Sequence, residues 1–279
     1  MYTDCNEIID FHTHIFPDSI AEKTIKVLKS NIKRERGKSV NNYTDATLSG
    51  LKKSMEENGI FMSVILPIVT NPKSTVHINE FALKINRENR NIISFAGIHP
   101  LSENISKTME EIKNAGFFGI KLHPEFQNFY INSPEGIKIL EEAEKQGLYT
   151  VIHSGADIGM PPPVHCTPEM LKDVLNYVSG KYIIAAHLGG WSMPDRVEKC
   201  LVGTNIMFDT AFIKDYVSED RITRIINSHG SEKIVFGSDS PWENPKDTAK
   251  FITSLNIDSD AISNILYKNA ARILKKQVD

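Results

Sequence analysis

Residues 7–15 read EIIDFHTHI, a short apolar run that turns polar near the start of the chain. Ile8 and Ile9 begin a predicted buried strand, and Asp10, His12 and His14 follow at intervals of two residues. Strand side chains alternate between two faces, so these three polar groups are expected on the same face. A lone buried histidine is usually a hydrogen-bonded core residue, whereas two histidines one pleat apart with a carboxylate also suit a metal ion. The rest of the chain must decide between these interpretations.

The composition excludes several classes of protein. The 279 residues are 41% hydrophobic, enough for one large domain with a full core, and the net charge is −3. No basic run is longer than KRER at 33–36, so no surface for duplex nucleic acid is indicated. No apolar stretch approaches the ~20 residues of a membrane span and no leader pattern is present, so we expect a soluble, cytoplasmic protein. Cys5, Cys166 and Cys200 lack CxxC spacing, which argues against disulfides and a cysteine zinc site.

Short apolar segments alternate with segments of helical periodicity along the whole chain. This alternation predicts parallel strands joined by crossover helices. We predict eight strands, at residues 8–12, 62–67, 92–97, 117–123, 148–153, 182–187, 206–209 and 234–237. Eight such units fit the ~250 residues of an α/β fold of the (β/α)8 TIM-barrel type. No flexible linker divides the chain, so residues 1–279 are expected to form a single domain; the proline-rich segment 155–168 is either a lid or a passive surface loop.

Most of the histidines stand where predicted strands end. Six of the nine do so, and Lys121 and Asp239 occupy equivalent positions; the six are His12, His14, His99, His123, His153 and His187. In a parallel barrel all strand exits meet at one rim, where barrel enzymes hold their catalytic residues. The polar face of the first strand then meets a ring of imidazoles and a carboxylate. This arrangement predicts a divalent-metal site at the C-terminal rim of the strands.

Six motifs carry a resemblance to a known family. They are DFHTH (10–14), GIKLHP (119–124), VIHSG (151–155), AAHLGG (185–190), VFGSDSPW (235–242) and NILYKNAARIL (264–274). In their order and spacing the chain resembles the amidohydrolase superfamily of metal-dependent barrels. Within that superfamily it is most similar to the small amidohydrolase-related group, amidohydrolase 2, which includes decarboxylases such as aminocarboxymuconate-semialdehyde decarboxylase. The resemblance covers nearly the whole chain.

The resemblance implies roles for particular residues. His12, His14 and His153 are the expected metal ligands, Asp239 is a ligand or the general base, and His187 is the catalytic imidazole or a ligand of a second metal. A carboxylated Lys121 would bridge two ions, whereas an unmodified Lys121 would bind a substrate anion beside one ion, which is the arrangement we favour. Zinc is the expected ion, with manganese as the alternative. Imidazoles suit zinc, and a zinc-bound water has a pKa of about 7, so that Asp239 can take its proton.

Further residues are candidates for substrate binding, each with a plain structural alternative. His123 precedes a proline, so its ring can simply stack at a turn. Asp157 and His165 lie on the proline-rich loop, where polar residues are commonly only solvated. Trp242 is a candidate apolar wall of the pocket. Asp10 either supports a metal ligand or satisfies buried backbone groups, and Asp209 has either a structural hydrogen-bonding role, which we favour, or a catalytic role.

The sequence leaves two enzyme functions open. The main expectation is a metal-dependent hydrolase that cleaves a small ester, lactone, amide or cyclic amide, with Asp239 or His187 moving the proton. The alternative is a metal-dependent decarboxylase of an aromatic or unsaturated acid, which needs a cation for the departing carboxylate, usually arginine. No arginine stands at a predicted strand exit; Arg196 is the nearest, and Lys121 or an arginine from another subunit are substitutes.

A barrel that only binds a ligand is a third hypothesis, which the complete set of site residues disfavours. The expected partner is a small-molecule substrate, and a homodimer is an open alternative to a monomer.

Overall fold

The structure of the protein, a computed structural model, describes residues 7–275, so Cys5 lies outside the described residues. Within this range, strands alternate with helices along the chain. The strand segments are Ile9–Thr13 (β1), Met62–Ile65 (β2), Ile92–Ser94 (β3), Ala96–Gly97 (β4), Gly119–Leu122 (β5), Tyr149–Ile152 (β6), Ile183–Ala185 (β7), Met207–Asp209 (β8) and Ile234–Val235 (β9).

Helices occupy the connections between these strands. The α-helices are Asp18–Arg36 (α1), Leu48–Asn58 (α2), Thr75–Glu88 (α3), Ile105–Asn114 (α4), Pro124–Gln127 (α5), Pro134–Gln146 (α6), Pro168–Val174 (α7), Pro194–Cys200 (α8), Glu219–His229 (α9), Pro245–Ser254 (α10), Ser259–Ser263 (α11) and Asn269–Ile273 (α12). Short 3₁₀ turns lie at Pro72–Ser74 and Ser231–Lys233, and a π-helical turn, Asn264–Lys268, joins α11 to α12. None of the helices within residues 7–275 has both the length and the apolar character needed to cross a bilayer.

The strands run parallel in sequence order and close into a barrel. Two sheets, β1 to β3 and β4 to β9, contain all of the ladder pairings. β3 and β4 form one barrel strand interrupted at Phe95, whose N–H donates to the Ile65 carbonyl at 2.9 Å. The barrel closes where the Phe11 N–H donates to the Phe236 carbonyl at 2.8 Å. The predicted (β/α)8 barrel is therefore confirmed.

Apolar side chains fill the barrel and the space beneath its helices. One buried cluster unites residues of most strands with the C-terminal helical segment; its strand members include Ile9, Phe11, Val64, Phe95, Val151, Ile184, Met207 and Val235. The Phe11 and Phe95 rings pack edge to face, with centroids 5.5 Å apart. The segment 264–274 lies at the seam between β9 and β1, since the Ile265 carbonyl accepts from the Phe236 N–H at 2.8 Å. This packing holds the strand exits, and therefore the predicted site, on a rigid frame.

Candidate active site

Three of the predicted residues converge at the exits of β1 and β9. The Nε2 atoms of His12 and His14 are 3.1 Å apart, and Asp239 Oδ1 lies 3.4 Å from the first and 3.3 Å from the second. Ligands bound to one ion at ~2.1 Å are separated from one another by roughly 3 to 3.5 Å. The two rings pack edge to face, with their planes at 73°. His12, His14 and Asp239, hereafter the metal group, therefore have the geometry of ligands to one divalent cation.

Hydrogen bonds fix both imidazoles of the metal group from behind. His12 Nδ1–H donates to Asp209 Oδ2 at 2.7 Å, and His14 Nδ1–H donates to the Leu66 carbonyl at 2.9 Å. Each bond selects the tautomer in which Nε2 carries a lone pair, the form that can bind a metal. Burial lowers the pKa of His12 well below its usual value, which keeps the ring neutral, as a ligand must be.

Asp209 connects the metal group to the next strand exit. Its Oδ1 accepts from the His187 N–H at 2.8 Å and from the Ala211 N–H at 3.1 Å, while Oδ2 accepts from His12. Burial raises the pKa of Asp209, against the effect of these partners. The sequence placed Asp209 at a strand exit with a hydrogen-bonding role, but nothing in it indicated that the acceptor of the His12 ring would be this carboxylate.

The backbone around Asp239 is unusual and tightly packed. His187 and Asp239 both adopt left-handed conformations, with φ of 59° and 58°, which are uncommon for residues other than glycine and often occur at functional sites. A Cβ on Gly237 would lie 2.7 Å from His12 Cβ, so glycine is needed where β9 passes β1. Asp10 accepts from both the N–H and the hydroxyl of Ser238, so its contacts match the second alternative given for it, the satisfaction of buried backbone groups.

A buried cation stands beside the metal group. Lys121 is 1% exposed, and its Nζ lies 3.2 Å from His12 Nε2. Burial lowers the pKa of Lys121 to about 8, although Asp209 and Asp239 favour its charged form. Burial likewise disfavours the charged form of Asp239, but protonated forms of the neighbouring histidines favour it, and the net effect is a pKa of Asp239 below its usual value. The site therefore pairs an ionised carboxylate with a lysine that is positively charged in part near neutral pH.

His153 and His187 form a hydrogen-bonded pair at the exits of β6 and β7. His187 Nδ1–H donates to the Ala211 carbonyl at 2.9 Å, so its Nε2 accepts from His153 Nδ1–H at 3.0 Å. This bond occupies Nδ1 of His153, and the ligand atoms that lie within 4.8 Å of one another in the metal group do not include a nitrogen of His153. Its other nitrogen, Nε2, lies 3.8 Å from Asp157 Oδ2 and has no hydrogen-bond partner among residues 7–275.

A second group of potential ligands lacks the orientation to chelate an ion. Ligand atoms of His123, His153 and Asp157 lie within 4.8 Å of one another, and His123 Nε2 is 3.5 Å from Asp157 Oδ2. However, the two imidazoles are stacked, with centroids 4.1 Å apart and planes at 8°, and His123 also stacks on Phe126 at 3.9 Å. Parallel rings direct their lone pairs along parallel lines rather than to one point. We therefore interpret this group as a polar wall of the pocket and not as a metal site.

The other predicted substrate residues lie near the mouth but are held by their own contacts. The His165 N–H donates to Glu125 Oε1 at 2.9 Å, and its ring packs edge to face on Tyr130. Trp242 is half-buried, and its backbone N–H donates to the Asp239 carbonyl at 2.9 Å. His99 Nδ1 accepts from the Leu101 N–H at 3.1 Å, as in a simple turn.

The arginine near the mouth is not the one that the sequence suggested. Arg196 forms an exposed ion pair with Glu169 and does not reach the metal group. Arg36, in the KRER run, instead donates to the carbonyls of Asp157 and Ile158 on the loop after β6, both at 3.2 Å. Arg36 was not predicted at this position, because a helix end in a charged run normally indicates only a solvated surface.

Comparisons with known proteins bear on the family and the fold. The amidohydrolase family model Amidohydro_2 matches residues 9–276. A search of curated protein sequences finds no significant match. The structure of 5-carboxyvanillate decarboxylase LigW from Sphingomonas paucimobilis superposes with a TM-score of 0.69 at 14% identity, over 98% of this chain and 100% of that one.

Two further solved structures are similar in the same way. An uncharacterised TIM-barrel protein from Bordetella bronchiseptica gives a TM-score of 0.73 at 16% identity, over 96% of this chain and 98% of that one. The 5-carboxyvanillate decarboxylase of Novosphingobium aromaticivorans, complexed with manganese and 4-hydroxy-3-methoxy-5-nitrobenzoic acid, gives 0.70 at 12% identity, over 98% of each chain. At these identities the likeness shows the fold alone. Because the family model spans nearly all of the described barrel, this enzyme belongs to the amidohydrolase family.

Proposed function

We propose that the enzyme is a metal-dependent decarboxylase that removes carbon dioxide from a small aromatic or unsaturated carboxylic acid. The observation that carries the proposal is the position of Lys121, whose buried Nζ is 3.2 Å from His12 Nε2. Lys121 places a buried ammonium donor beside the metal group, and such a donor binds a carboxylate more strongly than a neutral ester or amide. Lys121 also supplies the cation that no arginine supplies at a strand exit. The similar structures described as decarboxylases support the proposal at the level of fold.

One divalent ion held by His12, His14 and Asp239 would add positive charge next to the substrate carboxylate and keep coordination positions open for its oxygens. Two imidazole nitrogens and one carboxylate oxygen suit zinc, our first expectation, and also manganese, which a similar structure contains. An unmodified Lys121 is consistent with a single ion, because the two-ion arrangement requires its carboxylation.

The chain's own residues must orient the acid and deliver a proton. When the bond to the carboxylate breaks, its electron pair remains on the ring or alkene carbon, and that carbon takes a proton as carbon dioxide leaves. His187 is the proposed proton carrier: the Ala211 carbonyl fixes its Nδ1–H, its Nε2 accepts from His153 Nδ1–H, and a proton taken up from solvent at Nε2 would be the one passed to the carbon. His123, whose ring is stacked between His153 and Phe126, remains a proposed polar contact for the bound acid.

A specific observation keeps hydrolysis as the second candidate. The pKa of Asp239 lies below its usual value, so its carboxylate is ionised near neutral pH, which is the form that can accept a proton from water. Hydrolysis would add water to the product, whereas decarboxylation adds none.

The test is a panel of aromatic and unsaturated acids, esters, lactones and amides, assayed with zinc and manganese in turn. We expect release of carbon dioxide from an acid and a product lighter by that mass. A product that has gained water, with no carbon dioxide, would establish the hydrolase instead. His14→Gln should lose both bound metal and activity, while His77→Gln, on the exposed face of α3, should retain both.

A further inference from the structure

Asp239 lies on a segment of chain that has left the strand ladder. β9 ends at Val235, and Asp239 lies beyond it in a left-handed conformation, with φ of 58°. A residue other than glycine keeps this conformation only where its surroundings hold it there. The backbone of residues 237–240 must therefore be fixed by other contacts if the Asp239 carboxylate is to stay 3.4 Å from His12 Nε2.

The hydroxyl of Thr210 fixes the first residue of this segment. Thr210 follows β8 and is fully buried. Its Oγ1 accepts from the Gly237 N–H at 3.0 Å and donates to the Gly237 carbonyl at 3.2 Å, so one side chain satisfies both backbone groups of Gly237. The Thr210 N–H itself donates to the Val235 carbonyl at 3.2 Å. The Thr210 side chain therefore continues the pairing of β8 with β9 beyond its backbone bonds.

The carboxylate of Asp10, on the neighbouring strand β1, fixes the next residue. Asp10 is 1% exposed, its Oδ1 accepts from the Ser238 N–H at 2.9 Å, and its Oδ2 accepts from the Ser238 hydroxyl. The same hydroxyl oxygen accepts from the Ser240 N–H at 3.1 Å. The residues on both sides of Asp239 are therefore tied to one buried carboxylate, whose Oδ1 also accepts from the His12 N–H at 3.3 Å.

We propose that Asp10, Thr210 and Ser238, hereafter the turn clamp, are positioning residues that hold Asp239 in its metal-binding place. The inference rests on the metal group of the proposed function, and it applies to decarboxylation and hydrolysis alike. The turn clamp acts through the backbone on either side of Asp239 and not by contact with the ion. The alternative is a purely structural role, since buried hydrogen bonds stabilise a fold wherever they occur. A structural bond changes stability without changing the ligands of the ion.

The chain offers matched controls for two members of the turn clamp. Ser238→Ala and Thr210→Val each remove one hydroxyl and keep a side chain of similar shape. Ser63 and Thr150 are also buried, each 1% exposed, but their hydroxyls have no hydrogen-bond partner among residues 7–275. Ser63→Ala and Thr150→Val therefore make the same chemical changes on β2 and β6 without breaking a hydrogen bond.

Zinc affinity is measured by competition with a chromogenic chelator, and the urea midpoint is measured on the metal-free proteins. We expect Ser238→Ala and Thr210→Val to bind zinc about 10-fold more weakly, as when a ligand loses a supporting hydrogen bond. Asp10→Asn should act likewise, because its amide nitrogen cannot accept from Ser238. The two control variants should keep the original affinity to within about twofold. A lower urea midpoint in Ser238→Ala and Thr210→Val with unchanged zinc affinity would overturn the inference.

A double-mutant cycle tests whether the turn clamp acts through Asp239. Asp239→Ala removes both ligand oxygens, so adding Ser238→Ala should change zinc affinity by less than about twofold, although the urea midpoint still falls. An equal loss of affinity in both backgrounds would contradict the inference. Bound Co²⁺, whose visible absorption depends on its ligands and their geometry, should show a changed spectrum in Ser238→Ala and the original one in Ser63→Ala. Failure of the proposed metal group is a separate result, because Asp239→Ala alone would then bind zinc as tightly as the unmodified protein.

Discussion

The positions of the histidines at this site depend on the hydrogen-bond acceptors behind their rings. His12 is positioned for a metal because Asp209 accepts from the far side of its ring, and the same carboxylate accepts from the His187 backbone. The two proposed functional histidines therefore share one support. A change at Asp209 is expected to alter both without touching the ion or the substrate.

Asp209→Asn tests this support. The amide presents an N–H₂ group or a weaker acceptor to His12 Nδ1–H, so we expect zinc affinity to fall by about 10- to 100-fold. Affinity is measured by competition with a chromogenic chelator, and the melting temperature of the variant is measured alongside. Asp173→Asn is the control, since its carboxylate meets only Asn132 at the surface. Unchanged zinc affinity in Asp209→Asn would show that the bond to His12 is dispensable.

At the scale of elements, the site depends on how closely β9 approaches β1. Gly237 follows β9 and faces His12 with no side chain between the two strands. The backbone pairing between these two chain segments continues beyond Gly237, where the His14 N–H donates to the Ser240 carbonyl at 2.6 Å. The spacing of the strands, and therefore the spacing of His12 and Asp239, is set by the missing Cβ.

Gly237→Ala is expected to separate these strands. The new methyl would lie 2.7 Å from His12 Cβ, so one strand must move. Overpacking of this kind costs about 1 to 3 kcal/mol of unfolding free energy. We expect a lower urea midpoint and weaker zinc binding together. Gly159→Ala, where the nearest atom lies at 3.3 Å, should cause a smaller loss of both. Full zinc affinity in Gly237→Ala would contradict the proposed role of the close approach.

At the scale of the whole molecule, a buried histidine far from the metal group links stability to pH. His229 is 3% exposed; its Nε2–H donates to the Ile206 carbonyl at 2.8 Å, and its Nδ1 accepts from the Gly203 N–H at 3.2 Å. Burial lowers the pKa of His229 to about 4. The unfolded chain has a histidine pKa of ~6.5, so it binds a proton first as the pH falls. The stabilisation from neutral His229 is complete above that value and is lost as the pH falls from 6.5 to 4.

Urea unfolding of the native protein and of His229→Gln, at several pH values between 4.5 and 7.5, tests this link. The free-energy difference between the two proteins should shrink as the pH falls, over a full range on the order of 3 kcal/mol. The test uses the difference in unfolding free energy between the two proteins rather than the value for either one. Burial raises the pKa of Glu243 to about 7, so the contribution of Glu243 to stability changes with pH in the opposite direction and cancels in the difference. A difference that stays constant with pH would contradict the prediction.

Much of the fold was predictable because its signals are local. Alternating apolar strands and amphipathic helices indicate a barrel without long-range information, and all eight predicted strands lie where the structure has strand segments. Their ends were predicted too long, since residues such as His187 leave the ladder in left-handed conformations. The break at Phe95 was not predicted, because the run from 92 to 97 is uniformly apolar apart from Ser94.

The site was predictable only in part. The alternation of side chains along a strand and the shared rim of a parallel barrel were enough to predict that His12, His14 and Asp239 lie close together. The orientation of the His153 ring depends on its contacts with His187 and His123, which no local pattern specifies. The position of Arg36 could not be predicted, because it depends on how the 19-residue helix α1 packs against the loop after β6.

The seam between β9 and β1 has a consequence for biosynthesis. β1 leaves the ribosome first, yet its edge stays open until β9 and the segment 264–274 have also emerged. Until then a nascent chain displays an unpaired parallel edge, and long-range pairing of this kind is slow and exposed to aggregation. The ligand atoms of His12 and Asp239 meet only at that step, so an ion that needs both residues can be captured only after β9 has paired with β1.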